Sequence, residues 1–401
     1  MKKIITVLLA LSLIISTAFA MSPEEEYKLD GADVPVSIFD DAVPADAVEI
    51  PAPSAILMEK ETGEVIFEKN ADEKYSPASV TKIMTILLIA EAGESGAMSL
   101  DDTITVSANA ASMGGSQVFL EEGEKMSLRE MLKCIVVSSA NDAAVAVAEH
   151  MAGSEATFAS KMNERAAQLG MANTCFLNCT GLMDPEEHKT TARDIAIMSR
   201  ELMKYEWIKE YTTIWMDTIR DGAFGLSNTN KLIYYYDGAT GLKTGFTQKA
   251  MYCLSATAMR DGVEYIAVVM HCQTSAERFE SAKALLNYGF ANYTTVSCLP
   301  DGALPPIPVK LGKVQTVQPE VNDGGKILVK KQVAASVTKE LKLCEELTAP
   351  IKEGDTVGTL TVKAGEDVLK TVPIVASNTC ERLSWGEIFG KILKTAFLGC
   401  E

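Results

Sequence analysis

Ser79 and Lys82 stand three residues apart in SPASVTKIMT, where proline and small residues give way to an apolar run with helical spacing. At a helix start, positions i and i+3 share one face, so the lysine amine can reach the serine hydroxyl. The free N–H groups of the first turn also favour negative charge developing nearby. Serine is a poor nucleophile until a base takes its proton, and lysine can be that base only if burial or a neighbouring cation lowers its pKa. The motif alone is equally a helix start with a surface lysine. Two other groups supply what it lacks. Ser139-Ala140-Asn141, in a helical pattern interrupted by small residues, offers a hydroxyl that can relay a proton to a leaving amine. Its amide can hold both the lysine and a substrate carbonyl. Lys243-Thr244-Gly245, in GLKTGFT at the start of a strand pair, offers a second cation near Lys82 and a hydroxyl suited to a carboxylate. Its glycine clears a strand edge for substrate. Each of these, alone, could be a polar helix break or a turn leading into a strand.

Other chemistries find less support. None of His150, His188 and His271 falls in a motif beside the serine, which disfavours a serine–histidine triad. Among nine scattered cysteines, Cys175 and Cys179 are the one close pair, with no second Cys/His pair at ligand spacing. No metal or organic cofactor is implied, and the cysteines read as mostly buried thiols. A formal net charge of −17 without a Lys/Arg cluster makes nucleic acid a poor partner.

The elements that must position these residues follow from periodicity. ILME and VIFEKN read as a hairpin turning at Glu61-Thr62-Gly63, and VTKIMTILLIAEAGE reads as a helix. Helices are expected at 127–150, 154–169, 191–205 and 275–290. Residues 251–272 read as two strands around Arg260-Asp261-Gly262. Together these predict an α/β or α+β domain, helices packed on an antiparallel sheet, over 48–292. Prolines at 300, 305, 306 and 308 mark a boundary, and short alternating runs predict a small all-β domain over 296–378.

The two ends carry targeting signals. MKK, an apolar stretch from Ile4 to Ile15 and Ala18-Phe19-Ala20 read as a signal peptide over 1–20, so the protein is expected to be exported. Residues 21–47 form an acidic leader. In 380–401, Leu383, Trp385, Ile388, Phe389, Ile392, Leu393, Ala396 and Phe397 share one helical face. That suits an amphipathic helix lying on a membrane surface, with an ordinary helix packed on the β-domain as the alternative. The expected location is the outer face of the cytoplasmic membrane or the cell wall.

S-x-x-K, S-x-N and K-T-G in this order resemble the active-site set of penicillin-binding proteins and serine β-lactamases. SPASVTKIMT, FLNCTGL (176–182), TTARDIA (190–196), NTNKLI (228–233) and GLKTGFTQKAMYCLSATA (241–258) are similar to the low-molecular-weight D-alanyl-D-alanine carboxypeptidases of peptidase family S11. The resemblance covers about 48–292, and the β-domain and terminal helix continue it. It implies a penicillin-binding-protein/serine β-lactamase-like transpeptidase fold and peptidoglycan pentapeptide stems ending in D-Ala-D-Ala as substrate. β-Lactam antibiotics would be covalent inhibitors. It further implies that Ser79 attacks the carbonyl between the last two D-alanines and Lys82 accepts its proton. Ser139 and Asn141 would relay and position, and Lys243 would tune the electrostatics. Thr244 would bind the terminal carboxylate, assisted by Arg278. The oxyanion hole would be the backbone N–H groups of Ser79 and Phe246. Alanine at 140, where relatives often carry glycine, and ATG before LKTG remove no functional group. A β-lactamase of the same fold is the nearest alternative, but the E-x-x-L-N context that places a deacylating glutamate is missing. A non-catalytic wall-binding protein is disfavoured by three intact motifs.

Overall fold

Strands β1 (Ser54–Glu59) and β2 (Val65–Lys69) form the hairpin expected around Gly63, which sits at φ +76° as the turn requires. The computed structural model to which they belong describes residues 48–322 and 325–398. The signal segment (1–20), the acidic leader (21–47) and Cys400 lie outside those residues. Strands β3 (Ala239–Thr247), β4 (Met251–Arg260) and β5 (Val263–Cys272) complete an antiparallel five-stranded sheet in the order β2-β1-β5-β4-β3. Asp261 and Gly262 both have positive φ, +52° and +75°, the mirror-image turn that matches strand twist between β4 and β5.

Strand β5 shows why the sheet is central. Ile266, Val268 and Met270 point into one core, and Tyr265, Ala267 and Val269 point into another, as a period of two demands. Among the described residues, six longer helices pack around the sheet: the first five, in chain order, close the first core, and Leu285 and Leu286 of the sixth close the second. These are α1 (Lys82–Glu94), α2 (Leu128–Val137), α3 (Asn141–Ala152), α4 (Glu155–Gln168), α5 (Ala192–Leu202) and α6 (Ser275–Asn292). Side chains of Ser127, Ser154, Thr191 and Thr274 accept N–H bonds from the first turns of α2, α4, α5 and α6, satisfying donors the helices cannot.

Two expectations need correction. The helix read over 127–150 is two helices, because Ser139 adopts φ +60° and the chain reverses before Asn141 opens α3. The Asn141 N–H donates to Ser116 O (2.7 Å), so the break is bonded to a neighbouring loop. Lys243-Thr244-Gly245 does not precede the strand pair; it lies inside a third strand, β3, at the sheet edge. Its buried polar residues hide the alternation that would have marked a strand.

Beyond α6, β6 (Tyr293–Ser297) pairs with β8 (Lys326–Lys330), and β7 (Pro319–Val321) joins β9 (Val337–Leu343), β10 (Thr356–Ala364) and β11 (Asp367–Ala376) in an antiparallel sheet ordered β7-β11-β10-β9. Val317, Leu360, Val362, Val372 and Ile374 form its separate core. The chain then runs into α7 (Trp385–Leu398). Ser384 and Glu387 form a reciprocal capping box there: Glu387 Oε2 accepts the Ser384 N–H (2.7 Å) and Ser384 Oγ accepts the Glu387 N–H (3.4 Å). Trp385, Phe389 and Ile392 are 88%, 62% and 60% exposed, so this apolar face is not packed on the β-domain. Among the described residues, no helix is long and apolar enough to cross a membrane.

Candidate active site

Ser79 occupies a single 3₁₀ turn, Ala78–Thr81, that leads directly into α1. Pro77 makes no side-chain cap there, and Ala78 is held at φ +47° while fully buried. A non-glycine residue in that region costs free energy, which the surrounding packing must offset. Gly181 supplies that packing: a Cβ on it would lie 1.8 Å from Ala78 O. On the other side, a Cβ on Gly245 would lie 2.7 Å from Pro77 O and 3.1 Å from Val80 N. The role expected for Gly245 therefore changes. It lets strand β3 approach the serine turn, backbone against backbone, and does not merely clear space for substrate.

Lys82 is 0% exposed. Its Nζ lies 3.0 Å from Ser79 Oγ, 2.6 Å from Asn141 Oδ1 and 2.9 Å from the Thr180 carbonyl oxygen. Burial pushes its pKa down to about 7, against a smaller opposing pull from Cys179 and Asp142. Burial drives the Cys179 thiol well above its ordinary range, which keeps it neutral, so Asp142 is the charge that matters. As a neutral amine, Lys82 can donate its two protons to Asn141 and Thr180 and point its lone pair at Ser79. That geometry is the one a general base at Ser79 would need.

Asn141, at the first position of α3, also donates from Nδ2 to Gly114 O (2.7 Å). The neighbouring buried Asp142 carboxylate accepts the N–H groups of Val118 (3.0 Å), Leu120 (3.1 Å) and Ala143 (2.9 Å), fixing the loop in front of the site. Ser139 is buried two residues before Asn141, at the reversed turn. On β3, Lys243 is 1% exposed and donates to Thr244 O (3.1 Å). Burial holds its pKa well below the ordinary lysine range, and the charges of Lys82 and Arg278 add to this. The expected influence of Lys243 on Lys82 thus appears in the opposite direction, with burial, not a second ammonium, as the main cause at Lys82. Thr244 Oγ1 donates to Thr229 Oγ1 (2.7 Å), Arg278 Nη1 donates to Gly245 O (3.2 Å), and Phe246 is half exposed against Tyr252.

The structure thus brings Ser79, Lys82 and Asn141 into direct contact and sets the Lys243–Phe246 strand beside the serine turn, with Arg278 behind it. Sequence reasoning assigned nothing to Thr180, Asp142, Thr229 or His188. Thr180 and Thr229 fall in FLNCTGL and NTNKLI, which carried resemblance without a chemical role. Cys175 and Cys179 are free thiols, and among the described residues no cluster of His, Cys, Asp or Glu could hold a metal.

Helices over an antiparallel sheet, with a buried lysine and a serine meeting at its edge strand, define a class of acyl-transfer protein. The chain belongs to the D-alanyl-D-alanine carboxypeptidase family Peptidase_S11, which its residues 41–274 match. It is a hydrolase of that family, and residues 293–382 match the penicillin-binding protein 5 C-terminal domain. It is 43% identical to the D-alanyl-D-alanine carboxypeptidase DacF of Bacillus subtilis (strain 168) over 336 residues, 82% of this chain and 86% of that one. DacC of Escherichia coli (strain K12) is 31% identical over 86% of this chain and 88% of its own. Penicillin binding protein 5 from Haemophilus influenzae superposes with a TM-score of 0.74 at 26% identity, over 85% of this chain and 100% of that one. Penicillin-binding protein D2 from Listeria monocytogenes, solved in an ampicillin-bound form, does so at 0.56 and 31% identity, over 61% of this chain and 99% of that one.

Proposed function

We propose that this carboxypeptidase removes the terminal D-alanine of peptidoglycan stem peptides through an acyl-enzyme on Ser79. The observation that carries the reading is the Lys82 amine, buried and held by Ser79, Asn141 and Thr180. Lys82 takes the hydroxyl proton as Ser79 Oγ attacks the penultimate D-alanine carbonyl. The backbone N–H groups of Ser79 and Phe246 receive the oxyanion. The close approach of Gly245 to the serine turn supports that pairing. The proton held by Lys82 is relayed through Ser139 to the leaving amine, Asn141 positions the amide, and the C–N bond breaks to release D-alanine. Thr244 and Arg278 bind the terminal carboxylate, and Lys243 tunes the electrostatics. Water then hydrolyses the ester. Penicillin enters the same path and stalls as a covalent adduct.

The test is release of D-alanine from a diacyl-D-Ala-D-Ala peptide together with stable acylation by penicillin. Rapid penicillin turnover without D-alanine release would identify a β-lactamase instead. Lys82 works only as the neutral amine, so acylation should rise with pH through about 7 and level off above it. Below that midpoint the second-order rate should fall about tenfold per pH unit. A profile flat between pH 5 and 9 would remove Lys82 as the base.

We also propose that residues 1–20 are a cleaved signal peptide and 21–47 a leader. Residues 48–292 act as the catalytic domain, 296–378 as the β-rich domain, and 380–401 as an amphipathic helix holding the enzyme on the outer face of the cytoplasmic membrane. The exposed face of Trp385, Phe389 and Ile392 supports the anchor. Deleting 381–401 should shift the protein from the membrane to the soluble fraction at unchanged activity on a soluble peptide; an unchanged distribution refutes the anchor.

A further inference from the structure

Behind the serine turn lies a histidine that the proposed chemistry does not use. His188 is fully buried, and its two ring nitrogens face two different parts of the site. Nδ1 accepts the Leu177 N–H (3.0 Å), so in the neutral ring Nε2 carries the proton and donates it to Thr81 Oγ1 (2.9 Å). Burial lowers the ring's pKa to about 4, which keeps it neutral at working pH despite an opposing pull from Asp184. Thr81 closes the turn that carries Ser79 and directly precedes Lys82. Leu177 opens the loop whose Thr180 carbonyl holds the Lys82 amine.

That loop is folded tightly in its own right. Asn178 Oδ1 accepts the Gly181 N–H (2.7 Å), and Asn178 Nδ2 donates to Met183 O (2.7 Å). The Thr85 hydroxyl of α1 ties it down further at Cys179 O (2.7 Å). The histidine's own segment is anchored by paired backbone bonds between Tyr75 and Thr190, each 2.9 Å. Tyr75 is the residue before SPAS. The imidazole is therefore a rigid strut between a fixed segment, the nucleophile turn and the Lys82-binding loop.

We infer that His188 is a positioning residue for acylation, clamping Thr81 to the 177–181 loop so that the Thr180 carbonyl stays on the Lys82 amine and the lone pair stays on Ser79. It touches no reacting atom. Without it the carbonyl drifts, water enters around an amine whose charged neighbour is Asp142, and the amine regains basicity. The inference rests on the Ser79–Lys82 reading, and its test separates the two.

Acylation by a fluorescent penicillin is measured between pH 5 and 10 for the wild type, His188→Ala, His188→Gln and Thr81→Val, each with its thermal midpoint. His188→Ala and Thr81→Val should slow acylation roughly 10- to 100-fold, as small misplacements near reacting groups do. The midpoint of the pH profile should move upward in both. Glutamine can still reach Thr81 with an N–H, so His188→Gln should recover most of the rate. Wild-type rates and pH midpoints in folded His188→Ala and Thr81→Val would overturn the inference. So would a rate loss that tracks thermal midpoint alone, with the pH midpoint unmoved. If His188→Ala does not fold, Thr81→Val, which keeps its shape, decides on the same two readouts. A wild type that penicillin does not label at Ser79 would overturn the functional reading itself.

Discussion

Lys82→Met should slow acylation by penicillin roughly 10²- to 10⁴-fold, the usual contribution of a positioned general base. Methionine keeps the length of the apolar stem, so the core around α1, almost wholly buried, stays filled. What disappears is the amine that meets Ser79, Asn141 and Thr180. The residual reaction should also lose its pH dependence near 7, because the group whose burial sets that midpoint is gone. The check is a stopped-flow or gel measurement of acylation from pH 5 to 9, with circular dichroism reporting folding. A folded variant that is acylated as fast as the wild type would show that another group takes the Ser79 proton.

Gly181→Ala should damage both stability and chemistry, for a reason outside SPASVTKIMT. Gly181 sits at φ +71°, and a Cβ there would lie 1.8 Å from Ala78 O and 2.7 Å from Thr81 Oγ1. The carbonyl belongs to the buried, left-handed residue just before Ser79, so the clash cannot be relieved by a rotamer change. The loop must move away from the serine turn and take the Thr180 carbonyl with it. A loss of about 3 kcal/mol in urea unfolding is expected from backbone strain and overpacking together. Acylation should fall at least ~10²-fold at temperatures where the variant stays folded. Gly170→Ala is the control: φ is +76° there too, but nothing lies within 4 Å. It should cost only about 1 kcal/mol and leave acylation unchanged. Equal effects from the two substitutions would mean that close packing at Gly181 is unimportant.

These two cases show what the residue pattern could and could not disclose. The helices and hairpins followed from periodicity and turn residues because each is a local choice that agrees with the global fold. Ser79, Lys82 and Asn141 were legible because the groups that meet in the site are their side chains. The third partner of Lys82 is a backbone carbonyl, which every residue possesses, so no side-chain pattern marks Thr180. Lys243-Thr244-Gly245 was placed at the start of a strand pair and not within a strand of its own, because Lys243 and Thr244 are buried polar residues that break the alternation a strand ordinarily shows. The break at Ser139 was visible only as small residues in a helical run; its reversed backbone is stabilised by a loop far away in sequence. His188 was set aside because a triad histidine was sought in a motif beside the serine. Its actual contact, with Thr81, spans 107 residues. Gly245 was singled out for a strand edge open to substrate; its close approach to Pro77 and Val80 of the serine turn, a second reason for glycine there, has no local signature in the sequence.

Intact-mass analysis of the protein after penicillin treatment, followed by identification of the labelled peptide, bears most sharply on the acyl-enzyme. One penicillin per chain should be found, attached to Ser79 in the peptide containing SPASVTK, and Ser79→Ala should take up none. Labelling at any other residue, or undiminished labelling of Ser79→Ala, would contradict the assignment of Ser79 as the nucleophile.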